Sequence, residues 1–557
     1  ALFENNTDLL ATYNNNRLFR DISLRASVGA NARTFHYNSS YVSTDYLNVP
    51  ELYTFANSRN PIKASSYNAQ MLVLSGYGYV DLGFSKYANL SLTGRYDKLS
   101  TLPKGNNLYF YPSVSLSTVV SDYVSLPSPI SFLKFRGSYA NVKGGLTSAT
   151  IGATPAGSYP LGYGAQYYSS YEGPTYENSA TYSTPLVYDN KAGAYFTTTM
   201  NNANIQPFTS KVVEAGMDIR FFSNRLGLDL TYFDNKNGPR IFSLPISNAS
   251  GFSYALVNGI TTRKNGVEIT LTGSPLRSAK GLNWDVMVNW STYKEKYTSF
   301  YPGVEALNTF FKVGDRVDKI YGSAFVRTPD GAIINDAGGR PLRTPVSQYL
   351  GDANPDWIWS AINNFRYKGF TLGFQFDGRV GGYMINYIQQ QTYRGGRNIN
   401  TVLGEMGEAR YQDYLGVKSW TGDGVVVSNG AAINYDVDGK VTNYKDLQYA
   451  PNTTKTFLQD YISFYYNTNE ANIIKKTFSK LREITLGYNI PPSLLGKSFI
   501  RQASVTLVGR NLIYFSKYKD LDIDQYPGTS MSGSIQSSSS LQTPTTRRFG
   551  VNLNLTF

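Results

Sequence analysis

The chain contains no cysteine and a single histidine, His36. The lack of thiols excludes disulfides, thiolate zinc sites and cysteine nucleophiles. One histidine excludes a multi-histidine metal site and leaves at most one imidazole for acid–base chemistry, and His36 is interpreted as a loop or interface residue. No G-x-S-x-G elbow, P-loop or marked carboxylate pair occurs. We therefore expect no enzyme and assign no catalytic residue, cofactor site or metal ligand.

Charge and long apolar runs are also scarce. Charged residues make up 16% of the chain, against about 25% in ordinary globular domains. No run of about 18 apolar residues is present, which excludes helical membrane spans, and no substantial helix is expected. The net charge is +13, but lysine and arginine are scattered singly, apart from short pairs such as Lys475-Lys476. This pattern indicates a solvated basic surface and not a nucleic-acid partner.

Aromatic residues and glycine are abundant, and apolar residues recur with a period of two. Aromatics are 15% of the 557 residues, with 46 tyrosines and 50 glycines. The last residues, 548–557, alternate between apolar Phe, Val, Leu, Leu, Phe and polar or small Arg, Gly, Asn, Asn, Thr. Successive side chains of a strand point to opposite faces, so this segment predicts a strand with one apolar face. Similar alternation elsewhere predicts roughly fourteen to sixteen strands.

Two architectures fit many alternating strands: soluble sandwiches with the apolar face inward, and a transmembrane antiparallel β-barrel with that face towards lipid. Charged residues in mid-strand, such as Arg95, Arg136 and Glu268, favour a barrel with a wet lumen. Tight turns also alternate with very long connections, as in outer-membrane barrels. We expect one barrel domain over 1–557, with long extracellular loops at about 142–208, 300–350, 387–476 and 520–546.

Short blocks over nearly the whole chain resemble the SusC/RagA-type TonB-linked outer-membrane proteins. Each block is weak alone, but their order and spacing make the resemblance strong. The blocks are 478–491 (FSKLREITLGYNIP), 508–522 (VGRNLIYFSKYKDLD), 546–557 (TRRFGVNLNLTF), 111–116, 133–139, 222–226, 231–234, 350–356 and 367–370.

The resemblance implies most strands of a barrel of about 22 strands, with the plug domain not in this chain. It implies a multi-pass β-barrel in a Bacteroidetes-type bacterial outer membrane, contacting lipid. It further implies import of oligosaccharides or peptides under a SusD-like surface lipoprotein lid. TonB would act through the missing N-terminal plug, and two barrel–lid units can pair. The alternative is a SusC-like structural scaffold within an outer-membrane assembly complex. A passive porin and a soluble adhesin are further alternatives.

Three groups of residues are candidates for function. The alternating residues of the last strand resemble an outer-membrane insertion signal: Val551, Leu553, Leu555 and Phe557. A tyrosine-rich loop offers rings that can stack on a ligand or contact the lid: Tyr159, Tyr163, Tyr167, Tyr168, Tyr171 and Tyr176. The inward charges are expected to contact the plug or the substrate: Arg95, Arg136 and Glu268.

Two acidic segments have some features of a calcium loop. The first is 434–439 (NYDVDG), where the position that needs an acid in an EF-type loop is Lys445. The second is the alternating set Asp520, Asp522 and Asp524. A polar turn and a loop ladder are the simpler interpretations, and calcium in an outer loop stays open at this point.

Overall fold

The computed structural model describes residues 2–19, 21–44, 46–144, 182–183, 193–196, 198–306, 310–496, 498–525 and 545–557. These residues divide into two compact units. Unit 1 comprises 1–219, 231–265 and 297–305, and unit 2 comprises 220–230, 266–296 and 306–557. The expectation of a single domain over 1–557 stays a prediction.

Fifteen strands of the described residues form one sheet, in which each strand neighbours the next one along the chain. The pairings are antiparallel, so the predicted all-β antiparallel fold is confirmed. The strands are β1 (Leu2–Phe19), β2 (Ile22–Ser43), β3 (Lys63–Phe84), β4 (Ala88–Leu99), β5 (Leu108–Val119), β6 (Ile130–Gly144), β7 (Phe208–Phe221), β8 (Leu226–Asn237), β9 (Thr261–Leu276), β10 (Asn283–Ser299), β11 (Trp357–Tyr367), β12 (Phe370–Val380), β13 (Phe478–Ile490), β14 (Gln502–Ser516) and β15 (Arg548–Thr556).

Short strands pair within the connections. They are Tyr182–Ser183, Tyr195–Phe196, Thr199–Met200, Ile241–Pro245, Tyr254–Asn258, Lys319–Gly322, Ile334–Asn335, Gln348–Asp352, Tyr383–Ile385, Trp420–Thr421, Val425–Val427, Tyr449–Pro451, Lys455–Thr456 and Ile473–Lys475. The described residues also form short 3₁₀ turns at Phe55–Asn57, Lys104–Asn106, Val120–Asp122, Asn248–Ser250, Ile399–Val402, Tyr444–Asp446, Asn469–Asn472 and Ile523–Gln525.

Strand register in unit 2 separates polar from apolar side chains. Ser360 of β11 pairs with Asp377 of β12, whereas Ala361 pairs with Phe376. Because paired residues share a face, Ser360 and Asp377 lie on one side of the sheet and Ala361 and Phe376 on the other. The period-two pattern thus predicts correctly which residues share a face.

The core of unit 1 lies where long connections meet the strands. Its buried residues come from strands and from the connections between them: Phe35, Met71, Leu99, Leu102, Tyr109, Ile205 and Leu256. Ile205 is fully buried although it belongs to a connection. The described connection residues Leu102 and Ile205 are therefore packed against the strands.

The connection 381–477 of unit 2 contains three helices, so the expectation of no substantial helix is wrong here. They are α1 (Tyr387–Arg394), α2 (Gly404–Tyr414) and α3 (Leu458–Tyr466), and a fourth, α4 (Pro492–Leu495), lies in the turn after β13. Leu458 and Ile462 of α3 are buried, and Tyr393 stacks on Tyr466 with ring centroids 3.9 Å apart. Asp413 accepts hydrogen bonds from the first N–H groups of α3. Tertiary packing stabilises helices that are too short and polar to show a clear period of 3.6.

The helices described here are all too short or too polar to traverse a bilayer.

Candidate functional site

A β-bulge in β13 concentrates charge on the polar face of unit 2. Asp377 of β12 pairs with Lys480 and Gln375 pairs with Glu483, so one extra residue of β13 lies between Leu481 and Glu483. That residue is Arg482. A bulge bends the strand and re-aims a side chain, and Arg482 reaches Asp524, which Lys480 also contacts. Residues two apart share a face in any strand, so what the bulge changes is the side of Glu483, which pairs with Gln375 on the face of Asp377.

Arg482 and Lys480 form a closed ionic network with three aspartates. Arg482 donates to both carboxylate oxygens of Asp377 at 2.9 and 2.6 Å, and to Asp524 Oδ2 at 2.6 Å. Lys480 Nζ lies 2.9 Å from Asp522 Oδ2 and 3.5 Å from Asp524 Oδ2. The Lys480 side chain is only 3% exposed. The network fastens the segment after β14 onto the sheet.

Asp524 stays ionised in this network. Burial opposes its ionisation, but the hydrogen bond from Arg482 and the charges of Arg482 and Lys480 outweigh burial and hold its pKa below the usual aspartate value. A carboxylate that accepts charge-assisted hydrogen bonds favours its charged form. Asp524 is therefore a carboxylate that both cations contact.

In the two segments that resemble calcium loops, the aspartates named below contact cations or backbone N–H groups. Asp522 and Asp524 bind Lys480 and Arg482, as described above. Asp436 Oδ1 accepts from the backbone N–H groups of Asp438 at 2.9 Å and Lys440 at 2.8 Å, which is a polar turn. Within the part of the chain that the structure describes, no group of three or more acidic or histidine side chains is placed to hold a metal ion. Calcium in an outer loop stays a prediction.

A polar cavity of about 460 Å³ opens beside the network, within unit 2. Hydroxyl, amide and charged side chains line it together with aromatic rings. The lining residues are Glu268, Ile269, Thr270, Asn289, Trp290, Ser291, Ile358, Trp359, Ser360, Gln375, Asp377, Gly378, Arg379, Phe478 and Asp524. Glu268, predicted to face inward, thus lies in the wall of a polar cavity.

Arg379 is the cation of this cavity wall. Its guanidinium lies over the ring of Phe478, 5.3 Å from the centroid. Its Nη1 atom is buried and has no hydrogen-bond partner among the described residues. A buried polar atom without a partner costs free energy, so each instance in a native fold calls for an explanation.

Lys476 is a second buried cation in this region. The residue is 0% exposed, and its Nζ has no hydrogen-bond partner among the described residues. Burial and, after it, the positive charge of Arg379 lower the pKa of Lys476 to about 8, while the charge of Asp318 opposes this shift. Asp318 is itself occupied, because Arg316 donates to both of its oxygens and the Asn354 N–H donates at 2.7 Å.

The two inward arginines of unit 1 have partners in the sheet. Arg95 donates to Asp97 Oδ1 at 2.7 Å and to Ser75 Oγ at 2.8 Å. Arg136 donates to Thr231 Oγ1 at 2.6 Å and lines a smaller cavity of about 220 Å³. Their contacts with a plug or a substrate stay predictions.

The residues of the expected insertion signal lie in the last strand. Val551 and Leu553 are 66% and 60% exposed, and they pair with Leu507 and Val505 of β14. The terminal Phe557 ring stacks on Phe499 at 5.4 Å. The signal itself stays a prediction. The six tyrosines of the expected ligand loop, 159–176, lie outside the described residues.

Sequence analysis missed the cations that dominate the site: Lys476, Lys480, Arg482 and Arg379. One signal was available in the segment 480–483 (KLRE), which places charges at consecutive positions inside an otherwise alternating strand. Such a break in alternation indicates a bulge. No sequence signal indicates that Lys476 is buried.

The sheet has an apolar face and a polar face that carries ion pairs, and its long connections are folded. These features are typical of outer-membrane β-barrels. The sequence model of the family "TonB dependent receptor-like, beta-barrel" matches residues 2–330, which is more than half of the chain. The chain belongs to this family and is an outer-membrane β-barrel protein. The family is one of receptors and not a class of enzymes.

Curated relatives carry the same description. The chain is 22% identical over 496 residues to TonB-dependent receptor P3 of Formosa agariphila, covering 83% of this chain and 43% of that protein. It is 21% identical over 518 residues to receptor P26 of the same organism, covering 87% and 46%. The chain spans about half the length of these relatives.

Solved structures show the same fold. The RagAB peptide importer in its closed-closed state matches with a TM-score of 0.71 and 16% identity, over 100% of this chain and 55% of that chain. A second structure, of the RagAB peptide transporter, matches with a TM-score of 0.70 and 16% identity, over 100% and 56%. At this identity the likeness establishes the fold alone.

Proposed function

We propose that this chain forms the barrel of a TonB-dependent importer that takes up oligosaccharides or peptides across the outer membrane. A SusD-like surface lipoprotein acts as its lid, and TonB acts through a plug domain outside this chain. The proposal rests on one observation about unit 2. Its long connections fold into helices and short strands with buried residues, and a polar cavity lies where they meet the sheet.

The connections of unit 2 are very unequal. The turns 277–282, 368–369 and 491–501 are short, whereas 300–356 and 381–477 are long. In outer-membrane barrels the short turns face the periplasm and the long loops face outside. Long loops with buried cores of their own are usually functional, and these can hold a ligand and a lid.

The names of the relatives support the same function. The curated relatives are called TonB-dependent receptors, and the similar structures are titled as a peptide importer and a peptide transporter. Since the chain covers about half of each, we carry over coupling to TonB, the lid and the substrate as proposals. A peptide or a glycan both suit a polar cavity with aromatic walls.

The first test is mass spectrometry of the complex purified in detergent from native outer membranes. We expect a plug-bearing portion of the receptor, a SusD-like lipoprotein and a bound oligomer whose mass identifies the substrate class. A chain of 61.9 kDa with neither plug nor lid would contradict the importer. A multiprotein assembly without any bound oligomer would favour the structural scaffold.

A second test separates binding from transport. Cells that carry the receptor as their sole uptake route for the identified oligomer should grow on it, and deletion of tonB should abolish that growth. Growth that persists without TonB would indicate a passive pore.

A further inference from the structure

We propose that the cavity beside Arg379 binds a carboxylate group of the transported substrate, an inference that rests on the importer function proposed above. The cavity, called here the carboxylate cavity, is the one of about 460 Å³ in unit 2. Charge, unmet hydrogen bonding and wall chemistry each support this assignment.

The first argument is the unused donor of Arg379. Nη1 is buried without a partner among the described residues, although the side chain lies in the cavity wall. Arginine presents a planar fork that matches a carboxylate with two parallel hydrogen bonds. A carboxylate bound against Arg379 would supply the missing acceptor.

The second argument is that the nearest acids are already bound. Asp377 and Asp524 also line the cavity, but both accept hydrogen bonds from Arg482, at 2.6 Å in each case. Lys480 adds a second cation to Asp524 at 3.5 Å. These contacts occupy oxygens of both aspartates, and although the charges of Asp377 and Asp524 still act on Arg379, the Nη1 donor of Arg379 is left to a ligand.

The third argument is that positive charge accumulates at this end of the cavity. Lys476 is fully buried, its Nζ has no hydrogen-bond partner in the described part of the chain, and the charge of Arg379 acts on it directly. Two like charges in a poorly solvated region repel each other. An anion bound beside Arg379 would relieve this repulsion, which hydroxyl and amide groups cannot do.

The opposite end of the cavity carries Glu268. This residue is on β9, three strands from β12 in the sheet, which places the two backbones about 14 Å apart at about 4.8 Å per strand. Thr270 Oγ1 donates to Asn289 Oδ1 at 2.9 Å between them. Glu268 therefore places a charge that repels an anion at the end of the cavity away from Arg379.

The test is calorimetric titration of the full-length receptor in detergent with tri-L-glutamate and with trigalacturonate. The matched neutral probes are N-acetyl-triglutamine amide and the methyl ester of trigalacturonate. We expect at least one carboxylate probe to bind, and Arg379→Gln to weaken that binding at least tenfold while leaving its neutral counterpart unchanged. Which carboxylate probe binds distinguishes a peptide source from a uronic-acid source.

Two further variants make the result specific. Arg379→Lys keeps the charge but loses the fork, so binding should be intermediate. Arg366→Gln is the matched control, because Arg366 lies on the neighbouring strand paired with Asp285 and does not line the cavity. Glu268→Gln should tighten binding of the carboxylate probe by a few-fold, because a repulsive charge is removed.

Two results would overturn the proposal: neither carboxylate probe binds at millimolar concentration, or a folded Arg379→Gln receptor binds them as the wild type does. Folding of each variant is checked by its heat-dependent migration on gels. The titration requires neither lid nor TonB, so its failure is distinct from failure of the importer, which appears as loss of the lid in purification or as TonB-independent growth.

Discussion

Two groups of buried or half-buried cations in unit 2 differ in whether their donor atoms have hydrogen-bond partners among the described residues. Lys480 and Arg482 are bound by Asp377, Asp522 and Asp524 at 2.6–2.9 Å. Arg379 and Lys476 carry polar atoms that are buried and have no hydrogen-bond partner among the described residues. The first group is complete within the chain, and the second is not.

The difference separates structure from function. A buried ion pair contributes little net stability, but removal of one partner leaves a costly unpaired charge. A buried cation with no partner carries that cost already in the native state, and such costs cluster at functional sites. We therefore assign a structural role to the network of Lys480 and Arg482, and a role in ligand binding to the cavity beside Arg379.

The largest effect is expected from Lys480→Met. This change leaves Asp522 without its cation and removes one of two from Asp524, in a place where Lys480 is 3% exposed. Breaking a buried pair costs about 3–5 kcal/mol. The midpoint of urea unfolding in detergent should fall accordingly. If Lys480→Met unfolds like the wild type, the network does not stabilise the fold; adding Asp522→Asn should recover part of the loss.

Lys476→Met should have a slightly smaller effect of the opposite sign. The pKa of Lys476 is lowered from 10.5 to about 8 in the folded protein. Between these values the unfolded chain binds a proton that the folded chain lacks, so wild-type stability rises with pH from about 8 to 10.5 and the full penalty is present below pH 8. At pH 7 the variant should be more stable by about 3 kcal/mol.

The control for this change is the pH dependence itself. Unfolding midpoints of wild type and Lys476→Met, measured without substrate from pH 7 to 10.5, should converge as the pH rises. Parallel curves would mean that Lys476 does not titrate within the fold. The second group of cations would then consist of Arg379 alone.

The sequence predicts much of the fold and little of the site, and the reason is physical. Alternation predicts correctly that Asp377 and Phe376 lie on opposite faces, because side-chain direction in a strand is set locally. The charges at 480–483 indicate a bulge in β13, but which residue of β12 it lies opposite is a property of two paired strands. The sequence suggests only a loop ladder for Asp522 and Asp524, because their partners, Lys480 and Arg482, lie 42 residues away along the chain. Burial of Lys476 depends on how 381–477 folds, which no local pattern encodes.

Gly382→Ala is expected to disturb the second group without changing any charge. Gly382 has φ of +76°, and an added Cβ would lie 2.9 Å from the carbonyl oxygen of Ala353. The Gly382 carbonyl also accepts from the Lys476 N–H at 2.8 Å. A side chain at positive φ costs about 1–2 kcal/mol. Carboxylate-probe binding should weaken together with stability, whereas Gly496→Ala, at φ +58° with open space around it, should lower stability alone.

The smallest effect is expected from Arg510→Gln, which tests whether burial is what distinguishes these groups. Arg510 donates to Glu483 Oε2 at 2.7 Å, next to Arg482 along β13, but its side chain is 57% exposed and that of Glu483 is 34% exposed. Water and salt screen such a pair, whose contribution is about 0–1 kcal/mol. The urea midpoint should therefore move by less than a quarter of the shift caused by Lys480→Met, and raising the salt concentration should erase it. An equal shift in the two variants would mean that the number of ion pairs on this face, and not their burial, stabilises the sheet, and the buried Nη1 of Arg379, which has no partner among the described residues, would then no longer stand out as a mark of binding.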